Sequence, residues 1–470
     1  MFGGLLKTKL RDHQKRHLNF HLSIDRSGEF SEMGLGKTLV ALAKAAHLIA
    51  KGEVGSVLVI CPRSVMPVWE KEIEKHTHLT YQALMGTIQD KAEQLLSVPT
   101  KDVYIVSYDS IPGRKSTKNL LMNALVRKRF DFVVCDEVTQ IKNFQTLRFR
   151  YVRLLSDTIK YLIHLTGTPI TNNPESIFAI YLAMDKGETF GTNLYKFRNK
   201  YFRNEGTIFP KWAVREAKKD ELSHKMYIKA IRSTKEECLD LPPKLFLPRY
   251  CLLEGSQERA YQVAADELVK VLMVDETKIN VASSMAKMVK LSQICSGFVY
   301  SSSGVALEVG EAKANLLRDV LDEIGDKKVV IYTRWKEDMN IVTDVLKGFP
   351  AKKFETISGD TVDRKTPVER FQEGDSQYLV SQITAGRFGI TATASSHVVY
   401  FSLSYSVEDW LQSQDRIHRM GQAHSCVYIP LLMKDSIDER IYESLERKVD
   451  IAKSIVDSDE RKKLIETLKK

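Results

Sequence analysis

The sequence predicts an α/β fold of two lobes, each a parallel sheet covered by helices on both faces. Three observations carry that expectation. Short β-branched strands alternate with helical patterns along the whole length, the alternation occurs twice, and a proline-containing joint separates the two runs. A chain of 470 residues exceeds one ordinary domain, and a hydrophobic share of 43% leaves ample material for two cores.

In the first run the candidate strands are Val57–Cys61, Val103–Tyr108, Phe132–Asp136 and Tyr161–Leu165. Between them, Leu39–Ala50 and Val65–Lys75 carry apolar residues near helical spacing. The second run offers Lys328–Thr333, Phe354–Ser358, Tyr378–Ser381, His397–Phe401 and Cys426–Leu431. These strands are apolar almost throughout, as a sheet buried on both faces requires. The joint is expected in Arg232–Pro248, where Pro242-Pro243 disfavours helix and stiffens an extended connection. Two flanking stretches, about 174–231 and 257–297, read as largely helical. The expected division is therefore residues 1–235 for the first lobe, 236–248 for the linker and 249–470 for the second lobe with C-terminal helices.

Seventy lysines and arginines against 60 acidic residues give a net charge of +10, which permits a polyanionic partner. The charge is mixed throughout, so a nucleic-acid site is expected as a groove on the fold rather than a basic arm. No apolar run reaches roughly 18 residues. The Met1–Lys7 start lacks the apolar segment and cleavage site of a signal peptide. The expectation is a soluble, intracellular, monomeric protein, in the cytoplasm of a bacterium or infected host cell, or in a nucleus. Six dispersed cysteines with no Cys-x-x-Cys pair read as reduced, mostly buried thiols. His76-Thr77-His78 reads as surface.

Ser31-Glu32-Met33-Gly34-Leu35-Gly36-Lys37-Thr38 follows a short apolar piece and opens a helix. Gly34 and Gly36 allow a tight turn that aims backbone N–H groups of Met33, Leu35 and their neighbours at phosphate oxygens. The helix N-terminus adds positive potential. Lys37 can reach the β- and γ-phosphates and Thr38 can ligate Mg²⁺. Asp131–Glu137 is an apolar strand ending in two carboxylates, on the sheet edge where ligands sit. Asp136 is the candidate Mg²⁺ ligand, and Glu137 the group that polarises the attacking water. An ordinary turn and a surface acidic pair are the bland alternatives to both.

Asp136-Glu137-Val138-Thr139-Gln140-Ile141-Lys142-Asn143 resembles the Asp-Glu-x-His box of superfamily 2 helicases, with the Ile-Lys-Asn ending of the SNF2 branch. Thr139 stands where that family usually has histidine. Other pieces follow in the family's order. Leu10–Gln14 resembles the upstream motif in which Gln14 would read adenine. Val57–Pro62 with Arg63, Ser64 and Trp69 resembles motif Ia, Ser107-Tyr108 motif Ib, and Leu165–Pro169, with Thr168, motif III. Arg232–Lys235 and Leu241–Lys244 resemble the SNF2 bridge, with Ser233 in place of a second arginine. In the second lobe, Tyr332–Trp335, with Arg334, resembles motif IV. Thr384–Thr391 resembles motif V, with Gly389 toward the nucleotide and Arg387 replacing a glycine. Gln412–Gln422 resembles motif VI, and on a helix Gln412, Arg416 and Arg419 would share one face.

The resemblance spans Leu10 to Gln422 and implies two RecA-like lobes that bind ATP and Mg²⁺. Arg416 and Arg419 would neutralise charge on the γ-phosphate from the opposite lobe. DNA backbone would be held by Arg63, Ser64, Ser107 and Thr168 on one lobe and Arg334, Thr384 and Arg387 on the other. The implied protein is an ATP-driven translocase on duplex or branched DNA, akin to compact fork-remodelling or branch-migrating helicases, including phage-encoded ones. An RNA-directed helicase, a non-catalytic DNA-binding scaffold and a motor that strips proteins from DNA are the alternatives. Asp459–Lys470 reads as a solvated helix that is basic at its end.

Overall fold

The computed structural model describes residues 2–111, 120–170, 173–205, 212–273, 281–301, 303–349, 352–385 and 391–456. The described residues form two compact units, the first of 2–205, 212–240 and 451–456 and the second of 241–450. Among the described residues no helix is long and apolar enough to cross a membrane.

In the first unit the strands are β1 (Arg26–Glu29), β2 (Val57–Cys61), β3 (Tyr81–Ala83), β4 (Val103–Ser107), β5 (Phe132–Cys135) and β6 (Tyr161–Leu165). A small antiparallel pair follows, β7 (Phe202–Asn204) with β8 (Trp212–Val214), and then β9 (Ala230–Ile231). Apart from that pair, all join one parallel sheet in the order β3-β4-β2-β5-β6-β1-β9. Alternate side chains serve two cores. Leu58, Ile60, Val133 and Leu162 pack on one face, and Val57, Val59, Val134 and Ile163 on the other. Burial on both faces explains why β2, β4, β5 and β6 were legible as continuous apolar runs. Helices α1 (Asp12–Ser23), α2 (Lys37–Ala50) and α3 (Met66–His76) position the site.

The second unit has β10 (Lys244–Phe246), β11 (Arg249–Cys251), a hairpin of β12 (Phe298–Tyr300) and β13 (Ala306–Glu308), then β14 (Val329–Thr333), β15 (Lys353–Ile357), β16 (Ser376–Gln382), β17 (His397–Tyr400) and β18 (Cys426–Met433). Its main sheet runs β10-β18-β17-β14-β16-β15, and β11 also pairs with β18. All these pairings are parallel. The expected fold class, two parallel sheets flanked by helices, is therefore present.

Some local expectations hold and others change. Residues 174–231 are largely helical, as expected, and the unexpected feature is the short strands β7, β8 and β9 between the helices. His76 is buried rather than superficial: its Nδ1 lies 2.6 Å from the Thr8 hydroxyl, and only His78 of the pair is exposed. As expected, no disulfide joins any of the six cysteines, all of which are among the described residues, and Cys61, Cys135, Cys295 and Cys426 are buried. Arg387, Gly389 and Asp459–Lys470 lie outside the described residues.

Candidate active site

The loop after β1, the carboxylates after β5 and the Thr166-Gly167-Thr168 turn after β6 leave the same edge of the first sheet. Register fixes this, since Glu29 pairs with Leu165 and Cys135 with His164. β6 lies between the other two strands, so the turn that follows it comes between loop and carboxylates.

The loop leaves β1 and enters α2 through two left-handed residues, Gly34 at φ +84° and Gly36 at φ +82°. A Cβ on Gly36 would lie 2.3 Å from Gln14 Nε2, so a side chain here would displace Gln14 as well as strain the backbone. Gln14, expected to read adenine, is buried beneath the loop; its Nε2 donates to Leu35 O at 3.3 Å and its Oε1 accepts from Arg11 N at 3.0 Å. A Cβ on Gly167 would meet Met33 Cγ at 3.1 Å and Lys37 Nζ at 3.6 Å, so the motif III turn abuts the loop. Lys37 Nζ donates to Ser31 O at 2.8 Å and Glu32 O at 3.2 Å. Thr38 occupies the first turn of α2, partly exposed.

Asp136 sits at the mouth of β5. Its Oδ2 accepts from Trp69 Nε1 at 2.8 Å and its Oδ1 from Glu137 N at 2.9 Å. Burial pushes its carboxyl above the usual range, opposed by the Trp69 bond and the Lys37 charge. Glu137 takes a left-handed backbone, φ +48° and ψ +54°, unusual for a non-glycine residue and a strain that clusters at functional sites. Thr139, at the family's histidine position, is buried in the short turn that follows.

The expected DNA residues of this unit differ in access. Arg63 is exposed and Ser64 partly so, on the turn before α3. Ser107 is buried against Ser110, Oγ to Oγ 3.0 Å. Thr168 is partly buried, and its N donates to Thr166 Oγ1 at 3.1 Å.

In the second unit Arg334 follows β14 and stacks on Trp335, guanidinium to ring 4.5 Å, with desolvation pushing its pKa down. Thr384 is exposed on the turn after β16. The motif VI segment is not one helix: the helix Val407–Gln414 ends before Arg416. Ile417 turns fully into the core, and tight turns replace the next helical turn. Gln412 thus lies on the helix, whereas Arg416 and Arg419 lie on the turns beyond it. Arg416 is buried and its O accepts from Ala392 N at 3.0 Å; Arg419 Nη1 donates to Thr391 Oγ1 at 2.9 Å. Gln422, not expected as a site residue, ties the segment down by donating to Ser395 O at 2.8 Å.

Sequence reasoning also missed a buried polar group beneath the loop. His13, His17 and His21 recur every four residues on one face of α1, and that spacing was the available signal.

The family described as "SNF2-related domain" matches residues 13–297, and "Helicase conserved C-terminal domain" matches 312–421. The ATP-dependent helicase FUN30 of Saccharomyces cerevisiae is 24% identical over 98% of this chain and 48% of its own length. A Caenorhabditis elegans protein, the SWI/SNF-related matrix-associated actin-dependent regulator of chromatin subfamily A-like protein 1 homolog, is 26% identical over 95% of this chain and 62% of its own. The chain thus spans less than two thirds of these relatives. The Sulfolobus solfataricus SWI2/SNF2 ATPase core in complex with dsDNA is 23% identical, with a TM-score of 0.44 over 98% of this chain and 96% of that one. With the first family covering more than half of its length, and a helicase C-terminal domain following, this chain belongs to the SNF2-related family.

Proposed function

We propose that the protein is an ATP-driven translocase acting on duplex or branched DNA, with the nucleotide held by the loop Met33–Thr38. The observation that carries this is the convergence of Lys37, Asp136 and Gly167 on one sheet edge, beside a loop whose Gly34 and Gly36 both take left-handed backbone angles. That loop and the α2 N-terminus fit a triphosphate. The buried Asp136 carboxylate and the Thr38 hydroxyl fit a divalent cation, and Mg²⁺ when bound would neutralise phosphate charge.

The chain's own residues then have defined tasks. Lys37 leaves the Ser31 and Glu32 carbonyls to meet phosphate oxygens. Glu137, fixed by its strained backbone, takes the attacking water's proton. Arg416 and Arg419 supply the positive charge that motif VI implies for the γ-phosphate. Arg63, Ser64, Ser107, Thr168, Arg334 and Thr384 are the proposed backbone grips, and we extend that role to Arg387. Grips on phosphate give little base specificity and strong salt dependence. The relatives named as helicases and chromatin regulators support a DNA substrate. An intracellular monomer is the simplest vehicle for that work.

The test is steady-state ATP hydrolysis without nucleic acid and with duplex, single-stranded or branched DNA, or RNA, with Lys37→Ala as control. Stimulation by duplex or branched DNA that the substitution abolishes is expected. Stimulation by RNA alone overturns the DNA assignment, and hydrolysis that survives Lys37→Ala overturns the site.

A further inference from the structure

Beneath the phosphate loop lies a polar cluster that the proposed mechanism leaves unused. Glu29, at the end of β1, is fully buried, as is His21, and His17 is nearly so. One carboxylate oxygen, Glu29 Oε2, accepts from His17 Nδ1 at 2.8 Å and from His21 Nε2 at 3.0 Å. The other, Oε1, accepts from Ser31 N at 3.2 Å. Burial opposes ionisation of Glu29, but the charge and bond of His17 and the bond of His21 outweigh it and hold the carboxyl well below its usual range. The remaining nitrogens are also engaged: His21 Nδ1 lies 2.8 Å from Ser27 Oγ, and His17 Nε2 lies 2.9 Å from Ser233 Oγ.

The Ser233 bond reaches farthest. Ser233 N donates to Ser31 Oγ at 2.9 Å, and Glu32 N donates to Ser233 O at 3.0 Å, extending the ladder already made by Gly28 N to Lys229 O and Phe30 N to Ile231 O. Next to it, Arg232 Nη1 donates to Phe30 O at 2.8 Å and to Gly167 O at 3.3 Å. The entrance of the loop and the 229–235 segment are thus one hydrogen-bonded body, and His17 closes it from below. The carbonyl of Ser31 also accepts from Lys37 Nζ, at 2.8 Å. A continuous path therefore runs from Glu29 through His17, Ser233 and Ser31 to the phosphate-binding lysine.

Resting on the nucleotide reading above, we propose that His17 is a positioning residue for ATP binding, which through Ser233 and Ser31 sets the resting place of Lys37. A buried path with every member satisfied is worth keeping intact, because a half-satisfied one leaves unpaired polar atoms in the core. Packing alone does not require the two serine hydroxyls; their removal deletes bonds without opening a large void.

The experiment compares the full chain with Ser31→Ala, Ser233→Ala, the double variant, His17→Gln and Lys37→Ala. Binding of a fluorescent methylanthraniloyl-ATP is measured beside kcat, KM for ATP and the melting temperature. Each serine variant is expected to weaken binding and raise KM about fivefold at nearly unchanged kcat, the size of one net hydrogen bond. The double variant is expected to cost no more than about either single, because both cut one path. His17→Gln could fail to fold; the serine variants carry the test in that event. Serine variants that lower the melting temperature but bind ATP as the parent does would overturn the proposal while leaving the nucleotide site standing. Fully additive costs overturn the path. A parent chain that binds no more analogue than Lys37→Ala overturns the nucleotide reading itself, and this proposal with it.

Discussion

A methyl group at position 36 would lie 2.3 Å from Gln14 Nε2, on a backbone at φ +82°. Gly36→Ala therefore meets both a clash and left-handed strain of about 1–2 kcal/mol, and we expect loss of ATP binding by at least about tenfold. The check is a binding titration with an ATP analogue, and a Gly36→Ala variant that binds as the parent does would show that the loop accommodates a side chain at this position. Lys44, on α2, tests burial instead. It is 1% exposed, lies 5.6 Å above the Phe132 ring and donates to Ile24 O at 3.1 Å. Burial pushes its pKa from 10.5 to about 7, against a weaker pull from Asp25. Between those values the unfolded chain binds more protons, so this lysine's contribution to stability rises with pH across that window and is lost as pH falls toward 7. Lys44→Met is expected to raise the melting temperature at pH 7, with the gain shrinking toward pH 10.5; an unchanged or lowered value at pH 7 would show the ammonium is better paired than its surroundings suggest. The glycines of the loop were legible because few residues tolerate their backbone angles. The partnership of Glu29 with His17 and His21 was not, since a carboxylate in a strand of sequence Arg-Ser-Gly-Glu reads as surface until its partners on another element are known.

Helix α3 links the element scale to chemistry. Its Trp69 is almost fully buried and donates to Asp136 at 2.8 Å. That bond is the strongest influence holding the Asp136 carboxyl down against burial. Trp69→Phe keeps an aromatic ring in the core and removes the donor, so the carboxyl should titrate higher still. The acid limb of the pH profile of ATP hydrolysis is expected to move to higher pH, and a limb that stays in place would separate Asp136 from the reaction. Among the strands, the buried central ones were readable from β-branched composition. β3, β9, β10 and β11 were missed because they are two or three residues long, too short for any periodicity to register. Motif VI shows the opposite failure. Its spacing suits a helix, yet the core takes Ile417 inward and stops the helix at Gln414.

At the scale of the whole molecule, each unit has its own sheet and its own cores on both faces of that sheet. Calorimetry should resolve two heat-absorption peaks, with ATP and Mg²⁺ raising the one from the Lys37-bearing unit. A single peak at all nucleotide concentrations would mean the units unfold as one.

The residues just after Asp240 have a mechanical consequence. β10 and β11 both lie along β18, from Lys244 opposite Cys426 to Cys251 opposite Met433, and the seam is stitched further by Cys426 N to Pro243 O, Leu247 N to Tyr428 O and Lys434 N to Cys251 O. A pull directed along β18 would load these bonds together in shear, whereas a pull across it would open them one by one. The second unit therefore holds its leading segment by a row of main-chain bonds along β18, and no single one of them carries the attachment.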